Sequence, residues 1–149
     1  MLYSLQEFFP YLTLHGRTFT DDTTDTLFFN WSGSGITFRF HGTYLRAKIM
    51  GIHGHIDNIE YPYIGICRNN SRQIDQRIRI EDGLQWYDLA NDVKESSCKI
   101  SIFKLTENFR GRCGLLELET DGYLEMHVQS EQQLRIEIIG DSITCGYGN

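Results

Sequence analysis

The sequence predicts an all-β fold, an antiparallel β-sandwich of the jelly-roll type. The first observation is an alternation of apolar and polar residues, which places every second side chain on one buried face of a strand. The second is the spacing of turn-forming residues, which separate short apolar runs about every 8–12 positions, as in known sandwiches. The clearest alternating runs are Ile36–Phe40, Tyr44–Ile49, Ile78–Ile80, Lys99–Leu105 and Leu116–Glu119. We expect roughly eight strands, the number in a jelly roll.

Two short stretches have a helical pattern. Leu2–Phe9 is expected to form a short helix that ends before Pro10, because proline does not continue a helix. Ala90–Glu95 is expected to form one further turn. Neither stretch is long enough to support an α/β architecture, so the prediction stays all-β.

The composition changes near the end of the chain, where a domain boundary is expected. Residues 1–130 are assigned to the sandwich and residues 131–149 to the beginning of a second domain. A polar link, Ser130–Gln133, precedes the apolar run Leu134–Ile139, which has the character of a buried strand. We expect this run to be the first strand of an α/β domain that is otherwise absent from the sequence.

Composition and charge exclude several classes of function. The net charge is −6, and the densest basic stretch, Arg68–Arg79, is interrupted by Asp75, so no nucleic-acid partner is expected. No apolar run approaches the roughly 20 residues that span a bilayer, so no membrane partner is expected. The first ten residues lack the basic and apolar regions of a signal peptide, which favours a cytoplasmic protein.

The four cysteines, Cys67, Cys98, Cys113 and Cys145, contain no Cys-x-x-Cys pair. An even number permits two disulfides, but each cysteine lies within or beside an apolar run. Reduced, buried thiols are therefore the expectation.

The last residues carry the strongest functional signal. The apolar run Leu134–Ile139 leads directly into Gly140-Asp141-Ser142, an arrangement that presents a serine on the turn at the end of a buried strand. A serine in this place is exposed, and backbone N–H groups of the turn can face a developing oxyanion. The alternative is that Ser142 only caps a turn, which Asp and Ser do through local hydrogen bonds.

Three segments resemble carbohydrate esterase family 2. They are Phe29–Thr43, Ile102–Glu107 and Gly140–Asn149, and the last also resembles the first sequence block of SGNH (GDSL-type) hydrolases. The resemblance implies a jelly-roll module followed by an SGNH domain that removes acetyl groups from plant-wall polysaccharides such as xylan. By the same resemblance Ser142 is the nucleophile and one oxyanion donor, and Asp141 helps to hold the turn. No metal or organic cofactor is implied.

The sequence departs from that family downstream of the nucleophile. SGNH enzymes also use a second Gly, an Asn and a late Asp-x-x-His, and no Asp-x-x-His occurs in the 149 residues. Because loss of the serine or the histidine of such a unit costs about 10⁶ in turnover, we expect a truncated chain that is inactive alone.

A metal site is a weaker possibility. His53, His55 and Asp57 occupy alternate positions, so in a strand they would share one face and could hold zinc. The alternative, which we favour, is a polar loop or edge strand without metal, because a closed zinc site needs four ligands.

Aromatic residues at period two are expected mainly in the core, with a sugar-stacking platform as the alternative. The residues concerned are Phe28, Phe29, Trp31, Phe38, Phe40, Trp86 and Tyr87. Trp86 and Tyr87 are neighbours and point to opposite faces, so at most one faces inward. Trp86 is selected as the candidate for carbohydrate contact.

Three functions remain open from the sequence. The leading one is part of an acetylxylan esterase-like enzyme with an acetylated polysaccharide or oligosaccharide as partner. The second is a non-catalytic sandwich that binds carbohydrate or a partner protein. The third is a homo-oligomer that covers the apolar strand Leu134–Ile139, because an unpaired apolar edge favours association.

Overall fold

The fold consists of two antiparallel sheets packed face to face. The computed structural model describes residues 1–54, 60–91 and 97–126. The first sheet has the order β3-β4-β11-β6-β9, with β1 also paired to β11. Its strands are β1 (Leu2–Ser4), β3 (Thr18–Asp21), β4 (Thr26–Phe29), β6 (Leu45–His53), β9 (Gly83–Ala90) and β11 (Gly111–Thr120).

The second sheet has the order β12-β5-β10-β7-β8, with β2 also paired to β5. Its strands are β2 (Thr13–His15), β5 (Gly35–His41), β7 (Tyr63–Arg68), β8 (Gln76–Arg79), β10 (Cys98–Lys104) and β12 (Tyr123–Glu125). Every described pairing between strands is antiparallel. The predicted all-β sandwich is confirmed.

The expected number of about eight strands is too low, since the described residues form six strands in each sheet. The additional strands are short ones at the sheet margins. Strands β1, β2 and β12 have three residues each and β3 has four, which is too short for an alternating pattern to be recognised.

One hydrophobic core lies between the sheets. Strand β10 shows the alternation most clearly, because Ile100 and Ile102 are fully buried while Lys99 and Ser101 are only partly buried. The facing sheet contributes a second set of buried side chains, among them Leu27, Phe29, Ala47, Ile49 and Leu115. This shared burial joins the two sheets into one domain.

The N-terminal segment corrects the predicted helix. Leu2–Ser4 pairs with β11 as a strand, and only α1 (Leu5–Phe8) is helical, followed by a 3₁₀ turn at Phe9–Tyr11. Helix α1 begins with a capping box, in which the Ser4 side chain and backbone pair with the side chain of Glu7. Leu5 and Phe8 anchor the turn in the core.

The second predicted helical turn is wrong at its first residue. Ala90 is the last residue of β9, and residues 92–95 of that prediction lie outside the described ranges. No helix in the described part of the chain is long and apolar enough to cross a membrane.

Three of the four cysteines fall within the described ranges, and of these Cys67 and Cys113 are free thiols. Cys98 and Cys113 are buried and Cys67 is partly buried, so the burial that the sequence predicts is found for the described cysteines. Burial raises the pKa of the Cys113 thiol to about 12. Cys145 lies outside the described ranges.

Candidate functional site

The residues predicted to carry catalysis lie outside the described part of the chain. These are Gly140, Asp141 and Ser142, together with the preceding apolar run Leu134–Ile139 and the expected boundary near residue 130. Their roles remain predictions from the sequence.

The possible metal ligands are only partly described. His53 lies at the end of β6, with its Nδ1 atom 2.8 Å from Oδ1 of Asp82, whereas His55 and Asp57 lie outside the described ranges. Among the residues that the structure describes, no group of three or more His, Cys, Asp or Glu side chains is placed to hold a metal ion.

Trp86 lies on the outer face of the first sheet. It sits on β9 directly opposite Lys48 of β6, and the guanidinium carbon of Arg46 lies 4.7 Å from the centre of its ring. Lys48 approaches the same ring at 5.8 Å. Tyr87 turns the other way and packs against the core, as period-two alternation requires, and its hydroxyl accepts a hydrogen bond from the Glu81 N–H.

The two cations at Trp86 are held by carboxylates of β11. Arg46 contacts Glu119 at 2.6 Å and Lys48 contacts Glu117 at 3.0 Å. Hydrogen bonds from Arg46 and then Tyr44 lower the pKa of Glu119, because they stabilise its charged form. Two cations, each paired with a carboxylate, therefore contact the Trp86 ring. They leave less of the ring surface available for stacking on a sugar.

The other aromatic residues separate into two groups. Phe29, Phe38 and Phe40 are buried in the core, whereas Trp31 is 46% exposed with the guanidinium of Arg17 over its ring at 5.0 Å. Phe28 lies on the outer side of the first sheet and stacks on Phe19 with ring centres 5.2 Å apart. The expectation that most of these rings pack in the core therefore holds for the inward-facing positions only.

A polar cavity of about 360 Å³ opens at one end of the first sheet. It lies where β4 and β6 end and β11 begins. The lining residues are Asn30, Ile52, His53, Gly54, Asn108, Phe109, Gly111 and Arg112. Its volume falls within the range of about 300–1,000 Å³ that is typical of small-molecule sites.

Strand register explains how distant residues meet at this cavity. Arg112 of β11 pairs with Ile52 of β6, and Cys113 pairs with Phe29 of β4, so Asn30 follows on β4 opposite Arg112. A close backbone approach completes the wall, since a Cβ on Gly54 would lie 2.2 Å from the Phe109 carbonyl oxygen. Only glycine fits at that position.

Two polar groups at the cavity have no partner among the described residues. The Oδ1 atom of Asn30 is buried and accepts no hydrogen bond, which ordinarily costs about 1–3 kcal/mol. The exposed guanidinium of Arg112 pairs with no carboxylate in the described ranges. The sequence does not reveal this cavity, because its residues come from three separate segments that only the strand pairing brings together.

Comparison with solved structures identifies the fold. A family two carbohydrate esterase from Cellvibrio japonicus superposes with a TM-score of 0.79 and 22% identity, covering 98% of this chain and 40% of that one. The chain has the fold of part of a family two carbohydrate esterase. A family two enzyme from Clostridium thermocellum, solved in complex with cellohexaose, gives a TM-score of 0.75 and 24% identity over 93% of this chain and 39% of that one.

A smaller protein shares the sandwich as well. The family 35 carbohydrate binding module from Clostridium thermocellum gives a TM-score of 0.55 and 13% identity, covering 80% of this chain and 96% of that one. No protein-family model and no curated protein matches the sequence. This chain therefore spans about 40% of the length of the esterases but nearly the whole of a binding module.

Proposed function

We propose that the chain is the sandwich module and the nucleophile segment of an SGNH-type carbohydrate esterase of family 2, which deacetylates plant-wall polysaccharides. The observation that carries this proposal is the agreement in fold with the Cellvibrio japonicus esterase over 98% of the chain. The Gly140-Asp141-Ser142 sequence after an apolar run supports it independently, because that pattern presents a nucleophile.

In the complete enzyme the chemistry is acyl transfer. Oγ of Ser142 attacks the acetyl carbonyl carbon while a histidine takes its proton, and backbone N–H groups stabilise the oxyanion. Collapse of the intermediate expels the sugar hydroxyl with that proton and leaves acetyl-serine. Water then attacks the acetyl-serine, which releases acetate and restores Ser142.

The decisive experiment is a chimera. This chain would replace the matching 40% of the Cellvibrio japonicus enzyme, and acetate release from acetylated xylo-oligosaccharide would be measured. We expect activity in the chimera and its loss, by about 10⁶, in the matched Ser142→Ala chimera. A chimera that unfolds cooperatively but releases no acetate would contradict the proposal.

The 149-residue chain alone is the second arm of the test. We expect neither the chain nor its Ser142→Ala variant to hydrolyse p-nitrophenyl acetate, because the sequence holds no Asp-x-x-His. Activity in the chain that is absent from Ser142→Ala would mean that one of its own histidines serves as the base.

A second candidate is a non-catalytic module that binds carbohydrate. The observation that favours it is the match to nearly the full length of a family 35 carbohydrate binding module. Titration calorimetry with plain and acetylated oligosaccharides tests it. Sugar binding together with an inactive but folded chimera would select the module over the esterase.

A further inference from the structure

We propose that the polar cavity at the end of the first sheet is a binding site for one sugar unit of a neutral oligosaccharide. The class of ligand rests on the proposed function, whereas the location of the site follows from the cavity alone. It differs from the Trp86 surface, which the sequence favours for carbohydrate contact.

The cavity offers the mixture of surfaces that a pyranose requires. Ile52 is 39% exposed and provides an apolar surface for the C–H face of a sugar. Asn30, Asn108 and Arg112 provide amide and guanidinium groups for its hydroxyls. A few convergent polar groups beside apolar surface are typical of small-molecule sites.

Two of these groups are short of partners in the described structure. The Asn30 amide lines the cavity while its Oδ1 accepts no hydrogen bond, and rotation about its soft terminal torsion would turn it towards a hydroxyl donor. Arg112, the second residue of β11, lines the same cavity and is exposed. Its planar fork suits two adjacent hydroxyl oxygens.

His53 contributes rigidity. Its Nδ1 atom lies 2.8 Å from Asp82, and its ring tilts against Tyr61 at 6.2 Å, so the imidazole is fixed at the cavity wall before a ligand arrives. Preorganisation of this kind lowers the entropic cost of binding.

The Trp86 surface is less suited to the same role. Arg46 and Lys48 both contact its ring, and each is already paired with a carboxylate. A sugar stacking there would have to displace these contacts, whereas the cavity is open.

The test is calorimetric titration of the full chain with xylotetraose and with acetylated xylotetraose. We expect Arg112→Ala and Asn108→Ala each to weaken binding about tenfold or more, since each removes a hydrogen-bond donor at the cavity. The matched control is Arg72→Ala, an exposed arginine on the second sheet's β7–β8 turn that removes the same charge. It is expected to bind like the parent, as is Trp86→Ala.

Salt dependence and NMR locate the ligand. For a neutral sugar the affinity should change little between low and high salt, whereas an anion would be screened. Amide shifts should concentrate at Gly54 and Asn108–Arg112. If Arg112→Ala and Asn108→Ala bind the sugar as tightly as the parent, the cavity is not the site, but the proposed function stands. If only Trp86→Ala loses binding, the site lies at the Trp86 surface. If the full chain binds neither sugar while the chimera releases acetate, the proposal of a sugar site in the cavity is wrong, but the proposed esterase function stands.

Discussion

Lys104 shows how a single residue is forced into an unusual state by its strand. It shares the inward face of β10 with Ile100 and Ile102 and has no exposed surface. Its ammonium group donates hydrogen bonds to the carbonyl oxygens of Thr106 at 2.6 Å and Glu107 at 2.8 Å. Loss of hydration outweighs these bonds, so the pKa of Lys104 falls from 10.5 to about 8.

Lys104 predicts an unusual dependence of stability on pH. Between pH 8 and 10.5 the unfolded chain holds the Lys104 proton and the folded chain does not, so stability rises with pH, by up to about 3 kcal/mol. Cys113 acts in the opposite sense above pH 9, because its pKa is raised to about 12 in the folded state. The parent should therefore gain stability from pH 8 to 9 and then level off.

The variant Lys104→Met separates the two effects. Urea unfolding at a series of pH values should show no gain in stability from pH 8 to 9 in this variant, followed above pH 9 by the decline that Cys113 imposes. The pH slope is the readout, since the variant also leaves two carbonyls without their donor and is expected to be less stable throughout. An identical slope in parent and variant would show that Lys104 is not the titrating group.

For single residues, the sequence predicts which face of the sheet a side chain lies on better than it predicts which residues that side chain contacts. Alternation correctly separates Trp86 from Tyr87, since parity along a strand is a local property. The partners of those residues are not local. Arg46 reaches Trp86 and Glu119 through strand pairing that the linear sequence does not show, and the same holds for Asn30 and Arg112.

At the element scale, the pairing of β5 with β10 leaves no room for a side chain at Gly35. Gly35 pairs with Phe103, and a Cβ at Gly35 would lie 1.8 Å from the carbonyl oxygen of Ile102. That oxygen belongs to strand backbone and does not move aside cheaply. Gly35→Ala is therefore expected to separate the two strands and destabilise the fold by about 3 kcal/mol or more, as overpacking does.

Gly33→Ala is the matched control two residues away. At Gly33 nothing lies within 4 Å of a new Cβ, but its φ of +77° is one that alanine tolerates poorly. A cost of about 1–2 kcal/mol is expected there from backbone strain alone. Denaturant midpoints measured for both variants test the comparison. If both lose the same free energy of unfolding, separation of β5 from β10 does not add to the cost of Gly35→Ala.

Strands with a clear alternation are predictable, whereas β9 has eight residues but no regular alternation and is not predicted. β5, β6, β10 and β11 have seven to ten residues, enough for the alternation to stand out, and the sequence predicts all four. β1 has only three residues and gains its identity from pairing with β11, so the local pattern of Leu2–Ser4 indicates a helix instead. Tertiary pairing overrides local propensity at that segment.

The molecule as a whole has one core, and its extent bears on the predicted domain boundary. Every member of the described core lies between Leu5 and Leu124, the latter on β12 at the margin of the second sheet. This core already contains side chains from both sheets. The sandwich should then contain the information for its own folding, as domains generally do.

We therefore predict that residues 1–130 fold without residues 131–149. Chemical denaturation of the shortened chain should give one cooperative transition, with a midpoint close to that of the full chain. The control is residues 1–121, which lack β12 and with it Leu124, whose side chain is 5% exposed in the core. That chain should lose about 2–5 kcal/mol, the cost of deleting a large buried side chain, or fail to fold. If residues 1–130 unfold without cooperativity while the full chain unfolds cooperatively, the boundary is misplaced. Residues beyond 130 would then complete the core.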